Sequence, residues 1–208
     1  MNPVILGTGP SLAEVADDLD GFMLFGCNDT FRDFDLDVWL ACDPKWHAKR
    51  GPISLPCDQW HWDKAICERG GYRYIEGRWF DGLSTDPSWI SYGHSSGWQL
   101  LNLAVHYITW GLAEPPILLV GYDMTYRKGE PRHYFKGLSD TDGEYDGELR
   151  KWSLFDKPDG TGLLYDYQHI AKQCERGEIP PIINCTPRSA MQWFPFGIIN
   201  DYGEAKKA

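Results

Sequence analysis

The chain has 208 residues, of which 42% are hydrophobic and 24% charged, and these proportions fit a single globular domain over residues 1–208 rather than a disordered chain. Thirty acidic and 20 basic residues give a net charge of −10, which argues against a surface that binds duplex DNA. No apolar run reaches the ~20 residues that a membrane-spanning helix requires, and the N-terminus lacks the features of a signal peptide. We therefore expect a cytoplasmic protein without a membrane span.

Short apolar segments along the chain predict strands. Most of them are apolar throughout rather than alternating, which is typical of strands buried on both faces of a parallel sheet. They are Val4–Gly7, Phe22–Cys27, Val38–Cys42, Tyr72–Ile75, Ile117–Gly121 and Ile182–Cys185.

A helix is predicted directly after the first strand. Ser11 and Glu14 have the spacing of a capping box, in which each side chain bonds a backbone N–H at the helix start. Leu12, Val15 and Leu19 then fall on one helical face, which we expect to be buried.

Further helices are expected over about residues 97–110 and 163–176, and one helical turn in the short link 28–37. Helices between buried strands indicate an α/β protein. The predicted fold is therefore Rossmann-like, with three layers and a mainly parallel sheet.

The turn after the first strand reads LGTGPSL and suits a phosphate group. Gly7 and Gly9 allow a sharp turn and a close approach to a ligand, and a helix start offers free N–H groups. The full NAD fingerprint is absent, because Leu12 replaces its third glycine, and Pro10 has no N–H. We predict a phosphate cradle here, with Ser11 either capping its own helix or contacting the ligand.

Polar residues also follow the other predicted strands. Asn28 follows the second strand, Asp43 the third and Asp123 a later one, while Ser95-Ser96-Gly97 opens an apolar helix. Because ligands of open α/β sheets bind beyond the carboxyl ends of the strands, we expect these residues to converge on one crevice. Each motif alone is also ordinary turn or cap chemistry, but together they favour a nucleotide site.

Residues 125–162 are predicted to form a lid or insert region. Its polar segment Ser139–Gly160 is either a solvated loop or an active-site lid. Its acidic residues fit no EF-hand register. At the start of the insert region, Arg127, Lys128 and Arg132 form a small basic cluster, which either neutralises a leaving phosphate or belongs to a solvated loop.

The six cysteines include no Cys-x-x-Cys pair, and we expect reduced thiols. Cys57, His61 and Cys67 have no standard zinc spacing and lack a fourth ligand. No metal site is predicted.

The motifs GTGPSL, CNDTF, CDP, HSSG, LLVGYDM and NCTPRSAM follow in that order between about Val4 and Phe196. In this the chain resembles the 6-hydroxymethylpterin pyrophosphokinase-like superfamily, which includes bacterial CMP-sialic-acid-dependent sialyltransferases and small bacteriophage proteins. The resemblance implies a bound CMP-sugar donor. Its implied nucleotide ligands are Gly7, Thr8, Gly9, Pro10, Ser11, Asn28, Asp43, Ser95, Ser96, Gly97, Asp123 and Tyr126.

The resemblance also implies a catalytic base. The sialyltransferases use a histidine toward the acceptor hydroxyl, and the corresponding residue here is His133, with Arg127 and Arg132 beside it to stabilise the phosphate. His133 follows the Gly-x-Asp motif more closely than the sialyltransferase histidine does. Asp43 stands where those enzymes have an asparagine, and a carboxylate near phosphate is repelled unless it is paired, which leaves the donor open.

Three functions follow from these patterns. The leading hypothesis is a sialyltransferase-like glycosyltransferase that moves a sugar from a nucleotide to an unidentified hydroxyl acceptor. The second is a pyrophosphokinase that uses ATP and Mg²⁺, with Asp43 and Asp123 as candidate metal ligands. The third is a nucleotide-binding assembly or regulatory protein without catalysis, and all three are compatible with a homo-oligomer.

Overall fold

The computed structural model describes residues 1–93, 95–125 and 163–203. Its strands, in chain order, are β1 (Pro3–Leu6), β2 (Met23–Cys27), β3 (Val38–Leu40), β4 (Asp58–His61), β5 (Arg73–Tyr74), β6 (Glu76–Arg78), β7 (Trp89–Ser91), β8 (Ile117–Val120) and β9 (Ile182–Asn184). Seven of them form one sheet in the order β5-β4-β3-β2-β1-β8-β9, and β6 pairs with β7. Every strand pair is parallel. The protein thus has the predicted Rossmann-like α/β fold.

The helices are α1 (Pro44–Arg50), α2 (Lys64–Gly70), α3 (Ser96–Thr109) and α4 (Leu163–Glu175). Helices α3 and α4 confirm the predictions over residues 97–110 and 163–176. The expected turn in the 28–37 link is the 3-10 helix Asn28–Arg32. No helix in the described ranges is long and apolar enough to span a membrane.

The central strands are buried on both faces, as their continuous apolar sequences predict. In β1, Ile5 packs into the cluster that contains the buried residues of α3 and α4. Its neighbours Val4 and Leu6 point to the opposite face and join Leu12 and Val15 in a second cluster. Side chains that alternate along a strand therefore serve two separate cores, which explains why these strands lack polar residues.

The predicted first helix is wrong in type. Two short 3-10 helices, Pro10–Glu14 and Ala16–Asp18, replace it. The capping box is also absent, because Gly9 is the N-cap residue and no side chain bonds the helix start. Glu14 instead pairs with Arg188. The predicted apolar face is confirmed, since Leu12, Val15 and Leu19 are all buried.

The strand order defines a topological switch point. From β1 the chain builds the sheet outward through β2 to β5, and later returns to the other side of β1 with β8 and β9. Adjacent loops that leave such a sheet in opposite directions open a crevice beyond the carboxyl ends of the strands. In this protein the loops that follow β1 and β8 flank the switch point.

Candidate functional site

The loop after β1 packs tightly against the loop after β8. The N–H of Gly7 donates to the Val120 carbonyl at 2.7 Å, and that of Gly9 to the Gly121 carbonyl at 2.9 Å. A Cβ on Gly7 would overlap the Gly121 carbonyl oxygen, and one on Gly9 would overlap the Asp123 carboxylate. The two glycines are therefore required by contacts within the protein, and their amides are already engaged by it.

Ser11 and Asp123 meet across the switch point. The Ser11 hydroxyl donates to Asp123 Oδ2 at 2.7 Å, and the two residues are only 2% and 4% exposed. Ser11 thus bonds a side chain from the β8 loop and does not cap its own helix. This bond fixes one carboxylate oxygen of Asp123 at the switch point.

The loop after β9 packs against the loop after β8. The Tyr122 N–H donates to Thr186 Oγ1 at 3.0 Å, and the Ser189 hydroxyl donates to the Tyr122 carbonyl at 2.5 Å. The Ala190 N–H donates to the Asp123 carbonyl at 2.9 Å. The backbone at Tyr122 and Asp123 is therefore held by three hydrogen bonds to the loop after β9.

A second group of loops meets at the start of α3. The Ser96 hydroxyl lies 3.1 Å from Cys42 Sγ and 3.5 Å from Asn28 Oδ1, and it accepts a 3.0 Å bond from the Cys42 N–H. Asn28 has a left-handed backbone, with φ of 50°, and its carbonyl accepts from the Trp39 indole at 2.9 Å. The loops after β2 and β3 and the α3 N-terminus are thus joined through one hydroxyl.

Tyr122 links the two groups of loops. Its hydroxyl donates to the Gly97 carbonyl at 3.1 Å, at the first turn of α3. A Cβ on Gly97 would lie 2.7 Å from that hydroxyl oxygen, so only glycine fits without a shift. The start of α3, with Ser96 and Gly97, is consequently a neighbour of the loop after β8, which carries Asp123.

Ser95 is the N-cap of α3. Its hydroxyl oxygen accepts from the Trp98 N–H at 3.2 Å, and its backbone is extended. Asp43 is exposed and precedes α1, where its carbonyl accepts from the His47 N–H at 3.2 Å. Pro44 is the first residue of that helix, a position where a missing N–H has no cost.

The thiols near the crevice are protonated at neutral pH. Burial, reinforced by the neighbouring Cys42, raises the pKa of Cys27 to about 12. Burial also raises the pKa of Cys42, against an opposing hydrogen bond from Ser96. Since only the thiolate is a strong nucleophile, neither thiol is suited to covalent catalysis. All six cysteines of the chain are free.

The remaining predicted residues lie outside the described ranges. They are Tyr126, Arg127, Lys128, Arg132 and His133, together with all of the predicted lid 125–162 except Thr125. Their roles stay predictions. Within the described ranges, no group of three or more histidine, cysteine, aspartate or glutamate side chains is arranged to hold a metal ion.

The structure contains a second polar region that the sequence analysis missed. A cavity of about 530 Å³ lies beyond β3 and β4 and is lined by His47, His61, Trp62, Asp63, Arg69 and Tyr72, among others. The sequence gives only a weak signal of it, the aromatic run Trp60-His61-Trp62 at the end of an unpredicted strand.

Helix α1 forms one wall of this cavity and is anchored by a buried carboxylate. Asp29, which is 1% exposed, accepts from the Trp46 indole at 2.9 Å and forms an ion pair with Arg50 at 3.1 Å. The two partners lie near opposite ends of α1, so a single carboxylate fixes the helix against the loop after β2.

The possible metal ligands near the cavity are engaged in other bonds. The Cys67 thiol donates to the His61 carbonyl at 3.3 Å, and His61 Nδ1 accepts from the Asp63 N–H at 2.8 Å. Burial, and next the Asp58 charge, raise the pKa of the Cys57 thiol to about 11. His61 and Cys67 are therefore already bonded to neighbouring protein groups.

Comparisons of the chain with protein-family models, with curated proteins and with solved structures find no match. The resemblance to the pyrophosphokinase-like superfamily therefore rests on the sequence motifs alone.

Proposed function

We propose that the protein binds a nucleotide-sugar in the crevice beyond β1, β2, β3 and β8 and transfers its sugar to a hydroxyl acceptor. The observation that carries the proposal is that the loops after β2 and β8 both meet the start of α3. Asn28 lies beside Ser96, and Tyr122, which precedes Asp123, donates to the Gly97 carbonyl. Ligands of open α/β sheets bind at this place, and amide, hydroxyl and carboxylate groups there suit a ribose or a base.

The crevice would hold the nucleotide by side chains more than by the glycine turn. The amides of Gly7 and Gly9 donate to β8 and its loop, so they do not supply the phosphate contacts that the sequence motif suggests. The start of α3 is the better candidate for the phosphate groups, because Ser96 and Gly97 stand at the positive end of a 14-residue helix.

The transfer step would then proceed by proton removal and displacement. A base takes the proton of the acceptor hydroxyl, the acceptor oxygen forms a bond to the anomeric carbon, and the bond from that carbon to the phosphate oxygen breaks. The electron pair leaves with the nucleotide. By resemblance, His133 is the base. The positive charges of Arg127 and Arg132, which are near it in sequence, would stabilise the departing phosphate.

Calorimetric titration with CMP, UMP, GMP and ATP, each with and without Mg²⁺, tests the proposal. We expect a nucleoside monophosphate to bind without metal. In Ser96→Ala its affinity should fall by about tenfold, because a hydrogen bond to a charged group is lost. The matched control is Ser88→Ala, which removes an exposed hydroxyl bonded to Asp86 and should leave the affinity unchanged.

Two other results would replace the proposal. Binding of ATP only in the presence of Mg²⁺ would support the pyrophosphokinase. If a nucleotide binds but no nucleotide-sugar is consumed with any acceptor tested, the non-catalytic binding protein is supported. Failure of folded protein to bind any of the nucleotides would exclude the crevice as a nucleotide site.

A further inference from the structure

The loop after β6, residues 79–82, carries two exposed aromatic side chains. Trp79 is 67% exposed, the largest fraction of any large hydrophobic side chain in the described ranges, and its neighbour Phe80 is 45% exposed. Both line a shallow depression beside α4, together with Asp81 and His169. Single exposed apolar residues are common, but two adjoining exposed rings at a surface depression are typical of a binding surface.

The backbone of the 79–82 loop is held at several points. The Ser91 hydroxyl donates to the Phe80 carbonyl at 2.9 Å. Gln173 of α4 accepts from the Leu83 N–H at 2.8 Å and donates to the Leu83 carbonyl at 3.0 Å. Gly82, with φ of +123°, lies against the same glutamine, where a Cβ would overlap Gln173 Oε1. The rings are therefore presented from a fixed backbone, which lowers the entropy cost of binding.

The depression is too small to enclose a ligand. Its volume is about 20 Å³, which is room for one water molecule or one hydroxyl group. A ligand would therefore lie across the exposed rings and place a single polar group in the depression. The carboxylates of Asp81 and Asp166 line it, and Asp81 is exposed. Because an ionised carboxylate only accepts hydrogen bonds, the ligand needs an apolar face and a donor such as a hydroxyl group.

The surrounding charges favour a neutral ligand. The Trp89 ring, against which Phe80 packs edge-on at 5.6 Å, already has the Arg78 guanidinium 5.2 Å from its centroid. These rings therefore do not form an open cage for a second cation such as a quaternary ammonium group. An anionic ligand is repelled by the carboxylates of Asp81 and Asp166.

The size of the aromatic surface favours a small ligand over a protein partner. An aromatic side chain offers roughly 150–250 Å², whereas a stable protein interface needs about 800 Å² from each partner. The two exposed rings lie between the charged residues Arg78 and Asp81, which limit the apolar surface along the chain.

We propose that the 79–82 loop binds the ring of a neutral pyranose sugar. One face of such a ring consists mainly of C–H groups, which stack on the Trp79 ring, and a hydroxyl group of the sugar donates to the Asp81 carboxylate. A neutral sugar combines the apolar face and the uncharged donors that this surface requires. Sugar binding here does not depend on nucleotide binding at the switch point.

Saturation-transfer NMR of the full chain with the methyl β-D-pyranosides of galactose, glucose and mannose tests this surface without any nucleotide. We expect saturable binding of at least one of them, with a Kd of about 1–10 mM, because only one ring face is in contact. Sorbitol, an open-chain polyol without a ring face, should bind at least about tenfold more weakly. The uronic acid of the sugar that binds should bind about threefold more weakly, because its carboxylate is repelled by Asp81.

Matched variants locate the binding. Trp79→Ala should weaken binding of the sugar at least about tenfold, whereas Trp79→Phe, which keeps a ring, should stay within about threefold of wild type. Trp110→Ala removes another exposed tryptophan, outside the depression, and should have no effect.

Asp81→Asn tests the polar contact. It should weaken binding of the neutral sugar about threefold, because the hydrogen bond to a charged acceptor is replaced by one to an amide. It should also remove the difference between the sugar and its uronic acid, a change that a merely structural role of Asp81 would not produce.

Several results would overturn the proposal. They are absence of saturable binding of all three glycosides to folded protein, equal binding of sorbitol, and unchanged affinity in Trp79→Ala. Saturable binding of choline at the same residues in place of the sugars would identify a cation site instead. Self-association of the wild type that Trp79→Ala abolishes, without binding of any glycoside, would identify the rings as an interface between copies of the chain.

Discussion

The two polar regions of this protein differ in how their hydrogen bonds are satisfied. At the switch point, Ser11, Asp123 and the Gly9 amide bond one another or the adjacent loops. In the cavity beyond β3 and β4, His61 and Trp62 point donors at no described acceptor. The first region is held together by its own bonds, whereas the second contains two buried N–H groups without a hydrogen bond to a described residue. Polar residues therefore stabilise the fold in one place and cost stability in the other.

The largest effect is expected from Gly9→Ala. The backbone of Gly9, with φ of −69° and ψ of 152°, suits any residue, so the cost is steric contact with the Asp123 carboxylate and the Gly121 carbonyl. We expect the free energy of unfolding in urea to fall by about 3 kcal/mol or more. Gly51→Ala, where a Cβ meets open space but φ is +72°, should cost only about 1 kcal/mol. Equal costs would contradict the tight packing of the switch point.

Acidification should lower the free energy of unfolding through His61, in the wall of the cavity beyond β3 and β4. The pKa of His61 is about 4 in the folded protein and near 6.5 when unfolded, so the unfolded chain binds the proton more readily. The resulting stability is present above pH 6.5 and is lost as the pH falls toward 4, by at most roughly 3 kcal/mol.

Urea unfolding of wild type and His61→Gln between pH 7 and pH 4 measures this loss. The variant should show a flatter dependence on pH. The buried His106, whose pKa is lowered chiefly by burial, changes stability in the same direction and remains in both proteins, so it cancels in the difference. If the free energy of unfolding depends on pH equally in wild type and in His61→Gln, His61 is excluded as a source of the acid sensitivity.

Ser11→Ala should cost about 2 kcal/mol, because it removes a buried hydrogen bond to a charged group. Ser88→Ala, at an exposed position, should change the free energy of unfolding by less than about 0.5 kcal/mol. A double-mutant cycle of Ser11→Ala with Asp123→Asn measures the coupling directly. If the two changes are additive, the Ser11 hydroxyl does not contribute through Asp123.

The smallest effect is expected from Trp62→Phe, which removes a donor that has no acceptor in the protein. The loss of packing is offset by relief of an unsatisfied N–H, so the free energy of unfolding should change by less than about 1 kcal/mol. Trp39→Phe is the matched variant, because the Trp39 indole is fully buried and donates to the Asn28 carbonyl. It should cost at least about 2 kcal/mol. If Trp62→Phe lowers the free energy of unfolding more than Trp39→Phe does, the comparison of the two regions is contradicted.

The sequence predicts the central part of the sheet well, for a physical reason. Strands buried on both faces, such as β1 and β8, must be apolar throughout and are visible as continuous runs. Strand β4, Asp58–His61, lies near the edge of the sheet, carries polar residues and was missed. The first helix was predicted wrongly because Leu12, Val15 and Leu19 are also compatible with short 3-10 turns.

The site could be predicted only in outline. Polar residues after each strand correctly predicted that Asn28 and the start of α3 would meet, because carboxyl ends of parallel strands share one edge. The engagement of the Gly9 amide by Gly121 depends on the pairing of β1 with β8, which are far apart in sequence. The cavity was invisible because it forms from α1 and α2, neither of which was predicted.

Amide chemical-shift mapping with CMP, in the absence of metal, tests the nucleotide proposal most directly. The account predicts saturable shifts in the amides of residues 7–9, 11, 95–97 and 121–123, and no saturable shifts in residues 61–70 of the cavity wall. Shifts confined to the cavity wall, or none in folded protein, would contradict the assignment of the switch-point crevice as the nucleotide site.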